Sequence, residues 1–180
     1  YTNAKFLATT PDLLDQNRHD VFVKACKNQQ IKQENLLKHI EQFKNQKVLV
    51  LGDSIVDQYV ACDPVGMSNE APVIVVKELE ARNYLGGAAI VAAHVAALQA
   101  QATFLSVNGG DENAEFVEST LKDLGVKTRF IKDQSRPTTF KIRYMVENQK
   151  LFRVSRLKEH SISKEKEELA IKIIRERAKE

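Results

Sequence analysis

Residues 84–93 read YLGGAAIVAA, two adjacent glycines followed by a run of small and apolar residues. An apolar strand pattern, KVLVL at residues 47–51, comes earlier and runs directly into GDSIVD at residues 52–57. Glycines at the start of a helix let a ligand or another backbone approach closely, and the first helical turn offers unpaired N–H groups. Together with the carboxylate of Asp57, which follows the first strand, the glycine pair predicts a binding site for a polyol.

Strand and helix patterns alternate along residues 47–131. The alanine-rich segment after Gly87 predicts a helix, to about Leu98, that packs closely against a sheet, and residues 102–107 and 126–131 read as further strands. Between those two strands Asp111 is suited to cap the start of a helix and Gly125 to end it. This alternation predicts a three-layer α/β domain built on a parallel sheet with right-handed crossovers.

The composition is that of a globular protein rather than a nucleic-acid or membrane partner. Hydrophobic residues make up 43% and charged residues 28%, and the net charge is only +3. The two cysteines, Cys26 and Cys62, are far apart and are expected to be reduced thiols. Since no apolar run reaches the ~18 residues of a membrane span and no signal-peptide pattern opens the chain, we expect a cytoplasmic protein.

Residues 1–46 differ in character from the rest, being polar and free of glycine. Thr10 and Pro11 are typical of a helix start, and Leu36, Leu37, Ile40 and Phe43 recur at helical spacing. We therefore expect two helices that link to or flank a main domain at residues 47–180.

Two extended segments within residues 58–80 are joined through Pro64-Val65-Gly66. By their pattern alone they form an ordinary hairpin at the edge of the sheet. Strands at residues 138–147 and 150–156 follow later, and Ser163 then caps a last helix whose expected buried stripe is Leu169, Ala170, Ile173 and Ile174.

Several motifs occur in a specific order over residues 47–156: Gly52-Asp53 with Asp57, Ser68-Asn69-Glu70-Ala71-Pro72, Gly86-Gly87, Gly109-Gly110-Asp111, Arg136-Pro137-Thr138-Thr139 and Asn148-Gln149-Lys150-Leu151-Phe152-Arg153. In these motifs the chain resembles the ribokinase-like, or pfkB-type, carbohydrate kinases, and most of all their heptose 7-phosphate kinase branch. Two positions depart from the family pattern: Ile90 stands where the family has Asn, and Gln99 where it has Gly or Ser.

The resemblance implies a ribokinase-like α/β fold with a small β lid and a kinase that transfers phosphate from ATP, with Mg²⁺, to a sugar hydroxyl. In the family, the catalytic Asp and the ATP pocket lie in the C-terminal half of the domain. This chain reaches Glu180 without the glycine-rich turn that carries that Asp. We therefore expect a fold truncated before the C-terminal half, the sugar-binding half alone, and no catalysis by the 180 residues by themselves.

Asp57 is the strongest candidate for a contact with sugar hydroxyls, because a carboxylate beyond a parallel strand lies where α/β sheets bind ligands and accepts two hydrogen bonds. The resemblance places the substrate Asp of the family at this position; the alternative is a surface or capping Asp. Gly86 and Gly87 would let the backbone approach the substrate; the alternative role is tight packing of the helix against the sheet. The two roles are compatible with each other. Asn69 is a weaker candidate that would reach the sugar from the lid.

Lys141, Arg143 and Arg153 are the candidate ligands of a sugar phosphate. Lys141 and Arg143 are two residues apart on a strand and so share one face, and an arginine fork matches phosphate geometry. The alternative is a solvated strand face.

The resemblance implies a kinase of a sugar or sugar phosphate such as heptose 7-phosphate, which forms a homodimer through a β lid at residues 58–80; an ordinary hairpin is the alternative for these residues. The alternative is a non-catalytic, kinase-derived module that binds a sugar or dimerises. We expect no nucleic-acid partner and no membrane partner. Some family members carry a fused nucleotidyltransferase domain, so residues 1–46 are either a simple linker or the junction after such a domain.

Overall fold

A computed structural model describes residues 13–147 and 149–179, with side chains from residue 18 onward. This part of the chain contains five helices and seven strands. The helices are α1 (Leu13–Asn28), α2 (Gln33–Phe43), α3 (Gly87–Ala97), α4 (Glu112–Asp123) and α5 (Lys164–Arg177). The strands are β1 (Lys47–Leu51), β2 (Ser54–Met67), β3 (Ile74–Gly86), β4 (Gln101–Asn108), β5 (Lys127–Lys132), β6 (Thr139–Val146) and β7 (Gln149–Arg156).

The chain divides into two compact units, one through Phe43 and one from Lys44 onward. The first unit contains α1 and α2, so both expected helices are present. Thr10 and Pro11, expected at a helix start, lie outside the described residues. The apolar side chains that recur along α2 remain 44–52% exposed: Leu36, Leu37, Ile40 and Phe43.

A parallel sheet in the order β1-β4-β5 forms the centre of the second unit. One face of this sheet, represented by Val50, Ala102 and Phe104, packs against α3 and α4 in the main hydrophobic core. The small residues of α3 permit this close approach, since Ala89 and Ala92 have no exposed surface. The predicted mixed α/β fold with a parallel sheet is confirmed.

The predicted helix caps around this sheet are also confirmed. The Asp111 side chain accepts a hydrogen bond from the backbone N–H of Ala114 (3.1 Å) at the start of α4. Ser163 accepts one from the N–H of Lys166 (3.4 Å) at the start of α5. Gly125 follows α4 with a φ of +78°, the left-handed conformation that suits glycine after a helix.

A second, four-stranded sheet has the order β3-β2-β6-β7. The expected hairpin over residues 58–80 is thus part of a larger sheet, in which β2 pairs antiparallel with β3 and parallel with β6. Val56, Val60, Phe140 and Ile142 point from one face of this sheet into the main core. The alternate residues along the same strands therefore lie on the opposite face.

The expected buried stripe on α5 is wrong. Leu169 is 45% exposed, and none of the described residues of α5 is buried. The helix lies over the face of the parallel sheet opposite to α3 and α4, and a hollow of about 440 Å³ remains between its C-terminal end and strands β1, β4 and β5. Ile174 lines this hollow and is therefore half-buried rather than buried.

Candidate functional site

Asp57 lies on the outward face of the second sheet, in register with Tyr84 of β3 on one side and Lys141 of β6 on the other. Its side chain is 21% exposed, and that of Arg143 is 15% exposed. The Arg143 guanidinium donates a hydrogen bond of 2.5 Å from Nη1 to Asp57 Oδ1. The ion pair fixes one carboxylate oxygen and leaves Oδ2 on the side of Gly86.

Gly86 makes room for this carboxylate. A Cβ atom on Gly86 would lie 2.6 Å from Asp57 Oδ2, closer than side chains tolerate. Gly87 has a different role: its φ is +56°, and a Cβ there would lie 2.6 Å from the backbone oxygen of Asp53. That oxygen accepts a hydrogen bond from the N–H of Ala88 (3.1 Å), so the first turn of α3 is bound to the loop after β1.

The three predicted phosphate ligands share the face of Asp57. Lys141 is in register with Asp57, and Arg143 is in register with Tyr59 on β2 and with Arg153 on β7. Lys141 and Arg153 make no hydrogen bond or ion pair with another described side chain. Two cations therefore lie beside the Asp57–Arg143 pair with their charges uncompensated.

Two tyrosines complete this face and were missed by the sequence analysis. Tyr59 and Tyr84 meet edge to face with ring centroids 5.5 Å apart, and the Arg143 guanidinium lies 5.2 Å from the centroid of Tyr59. Together with Asp57 and Leu85 they line a hollow of about 430 Å³. A signal was present, since Tyr59 and Tyr84 are each two residues from a predicted site residue, but aromatic side chains were not weighed as ligand contacts.

Asn69 is not brought to this site. It lies in the loop between β2 and β3, beyond the last pair of the hairpin, Met67 with Ile74. The length of β2 from Asp57 to Met67 corresponds to roughly 30 Å of extended chain. Asp53, which belongs to the same motif as Asp57, is exposed.

A second polar cluster connects two of the quoted motifs. Asp111 accepts a hydrogen bond from the backbone N–H of Thr138 (2.9 Å), and the Thr138 hydroxyl accepts one from the N–H of Gly109 (3.1 Å). Burial raises the pKa of Asp111, but the hydrogen bonds from Thr138 and Ala114 outweigh it and hold that pKa below its usual value. The cluster fixes the chain just before β6, the strand that carries Lys141 and Arg143.

Asp133, which is 2% exposed, anchors the segment between β5 and β6. Its carboxylate accepts hydrogen bonds from the Ser135 hydroxyl (2.7 Å) and from Arg136 Nε (2.9 Å). It also forms an ion pair with Lys166, with 3.3 Å between the lysine nitrogen and the carboxylate oxygen. Burial opposes the ionised form, yet the hydrogen bonds, that of Ser135 foremost, hold the pKa of Asp133 well below its usual range. These contacts fasten α5 to the loop before β6.

Among the described residues, no group of three or more His, Cys, Asp or Glu side chains is placed to hold a metal ion. Within the same residues, no helix is long and apolar enough to cross a membrane.

The comparison with protein families decides the identity. The model of the pfkB family carbohydrate kinases matches residues 45–177, well over half of the chain. This chain belongs to the pfkB carbohydrate kinase family. The matched range contains both sheets and every residue of the Asp57 face described above.

Curated relatives of this pfkB chain have names that refer to heptose metabolism or to bifunctional proteins. The D-beta-D-heptose 7-phosphate kinase of Bordetella bronchiseptica is 41% identical over 114 residues, 63% of this chain and 36% of the relative. The bifunctional protein HldE of a Marinomonas species is 37% identical over 134 residues, 74% of this chain and 28% of the relative. HldE of Pseudomonas aeruginosa PAO1 is 43% identical over 112 residues, 62% of this chain and 24% of the relative. The chain thus spans about a quarter to a third of the length of these relatives.

Solved structures of sugar kinases share the fold. Phosphofructokinase-2 from Escherichia coli aligns with a TM-score of 0.56 at 17% identity and covers 73% of this chain and 41% of its own. A sugar kinase from Clostridium perfringens aligns with a TM-score of 0.53 at 19% identity and covers 74% of this chain and 40% of its own. At these identities the alignments establish the ribokinase-like fold and nothing finer.

Proposed function

We propose that this chain carries the sugar-binding side of a kinase that phosphorylates a hydroxyl of a sugar phosphate of the heptose 7-phosphate type. The observation that carries the proposal is the outward face of the second sheet, where the Asp57 carboxylate, the space left by Gly86 and three cations come together. Family membership and the heptose 7-phosphate kinase relatives support the same substrate class.

The two ends of such a substrate match the two kinds of group on this face. Asp57 Oδ2, which the ion pair with Arg143 does not use, accepts hydrogen bonds from sugar hydroxyls, and Gly86 provides the room in which this carboxylate lies. Lys141 and Arg153 attract the phosphate, with Arg153 two strands away from Asp57. Two strand spacings amount to roughly 10 Å, a span comparable to the length of a seven-carbon sugar phosphate.

Arg143 has a positioning role in this proposal. Its guanidinium is already paired with Asp57 and lies against Tyr59, so it holds the carboxylate in one orientation. An oriented carboxylate loses less conformational freedom when it binds a hydroxyl than a mobile one would. Gly87 and Asn69 contribute differently: Gly87 shapes the start of α3, and Asn69 acts only if the lid loop closes over the sheet.

ATP is the phosphate donor that the family implies, and Mg²⁺ its counterion. We assign neither ATP nor Mg²⁺ to residues of this chain and derive no chemical step from them. Dependence on ATP is consistent with a cytoplasmic location, which we also propose.

For the remaining parts of the chain, we propose that residues 1–46 form a linker or flanking segment and residues 47–180 the N-terminal portion of a kinase domain. We further propose a homodimer through the lid sheet, because β3 is an edge strand and the hairpin tip carries exposed apolar side chains. The alternative of a non-catalytic module receives no specific support from the relatives.

The test of the sugar site is calorimetric titration of the 180-residue chain with heptose 7-phosphate. We expect the wild type to bind and Asp57→Asn to bind at least roughly tenfold more weakly, because hydrogen bonds to a charged group contribute about 1.5–3 kcal/mol. Asp63→Asn removes an exposed carboxylate farther along the same strand and should leave the affinity unchanged.

The phosphate ligands require a second pair of titrations. Lys141→Gln and Arg153→Gln should weaken binding of heptose 7-phosphate but leave the weaker binding of phosphate-free heptose unaltered. Absence of binding by a folded wild type, or equal affinities of wild type and Asp57→Asn, would show that this face is not the sugar site.

A further inference from the structure

Tyr84 presents an open aromatic face beside the Asp57 carboxylate, and nothing assigned so far uses it. The side chain is 49% exposed, lies in register with Asp57 on the neighbouring strand and lines the same hollow of about 430 Å³. A ligand held by Asp57 would therefore lie against this ring.

Tyr59 offers less ring surface than Tyr84 to a ligand held by Asp57. It is less exposed, at 37%, and the Arg143 guanidinium already lies 5.2 Å from its ring centroid. The edge-to-face contact with Tyr84, at 5.5 Å between centroids, fixes the angle between the two rings. Tyr59 thus supports Tyr84, whose hydroxyl end interacts with the Arg82 side chain and whose ring stays about half exposed to a ligand.

A carbohydrate ring fits this combination of groups. One face of a pyranose presents C–H bonds whose hydrogens carry partial positive charge, and the face of an aromatic ring carries partial negative charge. The hydroxyls project from the rim of the sugar, where a carboxylate accepts their hydrogen bonds. Small-molecule sites commonly combine such an apolar surface with a few placed polar groups.

We propose that Tyr84 binds the C–H face of the sugar ring while Asp57 binds its hydroxyls, so that the site selects a cyclic sugar over an open-chain polyol. This inference rests on the proposed function, since it concerns the same site. It adds a residue that determines specificity and defines the accepted ligand as a ring. An open-chain polyol phosphate offers the same phosphate and hydroxyls but no flat C–H face.

The experiment compares heptose 7-phosphate with its open-chain reduction product, the heptitol 7-phosphate, by calorimetry on the 180-residue chain. The wild type should prefer the cyclic ligand. Tyr84→Ala should bind the cyclic ligand roughly three- to tenfold more weakly, the range expected for one stacked ring, and should lose the preference. Tyr84→Phe keeps the ring and should stay within about twofold of the wild type.

Tyrosine fluorescence gives a second readout, because the chain has four tyrosines and no tryptophan. Binding of the cyclic ligand should change the emission of the wild type, and this change should shrink in Tyr84→Phe although binding persists. Tyr144→Phe is the matched control. Tyr144 lies on the opposite face of the sheet and stacks on Phe152 at 4.7 Å, so its replacement should leave the change intact.

The outcomes separate this inference from the proposed function. If the wild type binds, Asp57→Asn binds more weakly and Tyr84→Ala retains both affinity and preference, the sugar site stands and the role of Tyr84 is overturned. If the folded wild type binds neither ligand, both proposals fail. Unchanged thermal unfolding of Tyr84→Ala shows that any loss of preference arises at the site rather than from misfolding.

Discussion

At the scale of single residues, Gln99 occupies a backbone conformation that ordinarily belongs to glycine. Its φ is +66°. The N–H of Gln99 donates to the carbonyl of Ala96 (2.8 Å) and that of Ala100 to Val95 (3.3 Å), the bonding pattern that closes a helix through a left-handed residue. Gly125 has the equivalent place after α4, with a φ of +78°. The same helix end is thus built once with glycine and once with glutamine.

Replacement of Gln99 by glycine should stabilise the protein. Glycine removes the steric cost of the left-handed conformation, about 1–2 kcal/mol, and part of this gain is offset by the greater freedom of glycine in the unfolded chain. We expect a net gain of roughly 0.5–1 kcal/mol in the free energy of unfolding, measured by urea titration.

Gly125→Gln is the reverse control for this prediction. No heavy atom lies within 4 Å of a Cβ built on Gly125, so the exchange tests backbone conformation alone. It should lower stability by a similar amount. A Gln99→Gly variant that unfolds more readily than the wild type would show that the glutamine side chain contributes contacts that outweigh the strain.

At the scale of secondary-structure elements, the junction of β3 and α3 contains two glycines with different neighbours: Gly87 lies against backbone and Gly86 against the Asp57 carboxylate. Gly87→Ala should destabilise the protein by roughly 2–3 kcal/mol, because the left-handed φ of +56° and the backbone oxygen of Asp53 at 2.6 Å from the new Cβ act together. Gly86→Ala meets the side-chain carboxylate of Asp57 rather than backbone, and its own backbone is extended at a φ of −132°. It should cost less stability but weaken sugar binding.

Gly125→Ala is the matched control for these two variants, since it has the positive φ without any neighbour within 4 Å. The difference in stability between Gly87→Ala and Gly125→Ala measures the close approach of α3 to the loop after β1. If Gly87→Ala lowers the free energy of unfolding no more than Gly125→Ala does, the close approach of α3 to this loop adds nothing to the destabilisation. Urea titrations give the stabilities, and calorimetry with heptose 7-phosphate gives the affinity of Gly86→Ala.

The elements of the parallel sheet were predictable because their signals are local. The alternation of apolar strands with capped helices predicted five elements, β1, α3, β4, α4 and β5. Asp111 and Ser163 cap the starts of α4 and α5, as their residue types predicted. The four-stranded sheet was not predictable in the same way. The parallel pairing of β2 with β6 brings Arg143 to Asp57 across 86 residues of sequence, and no local pattern encodes such a pairing.

How much of the candidate site could be predicted also depended on whether the signal for a residue was local or long-range. Asp57, Gly86 and Gly87 were proposed as site residues from motifs, and the shared face of Lys141 and Arg143 followed from the period of two along a strand. Tyr84 depends on the register of β3 against β2, which only the fold supplies. The prediction that one face of α5 is buried failed for a related reason. A helical stripe of apolar residues predicts which face is apolar, but not which part of the protein covers that face.

At the scale of the whole molecule, the hairpin of β2 and β3 extends apolar side chains into solvent far from the core. Val65, Met67, Val73 and Ile74 at its tip are 54–65% exposed. β3 is also an edge strand, so one row of its backbone hydrogen-bonding groups is unpaired within the second sheet. Contiguous exposed apolar surface of this kind marks a site of protein contact, and a second copy of the same chain offers a matching surface.

We therefore expect the chain to be a dimer whose contact is the hairpin tip. Light scattering after size exclusion should give twice the monomer mass of 20.3 kDa, and Ile74→Asp should give the monomer, because it places a charge in the apolar contact. Val21→Asp is the control, since Val21 on α1 has a comparable exposure, 69% against 65% for Ile74, and lies in the other unit. A monomeric wild type at high concentration would refute the dimer, whereas dissociation by Val21→Asp alone would move the contact to the helical unit. Monomeric Ile74→Asp that still binds heptose 7-phosphate would show that one copy of the Asp57 face suffices for the sugar.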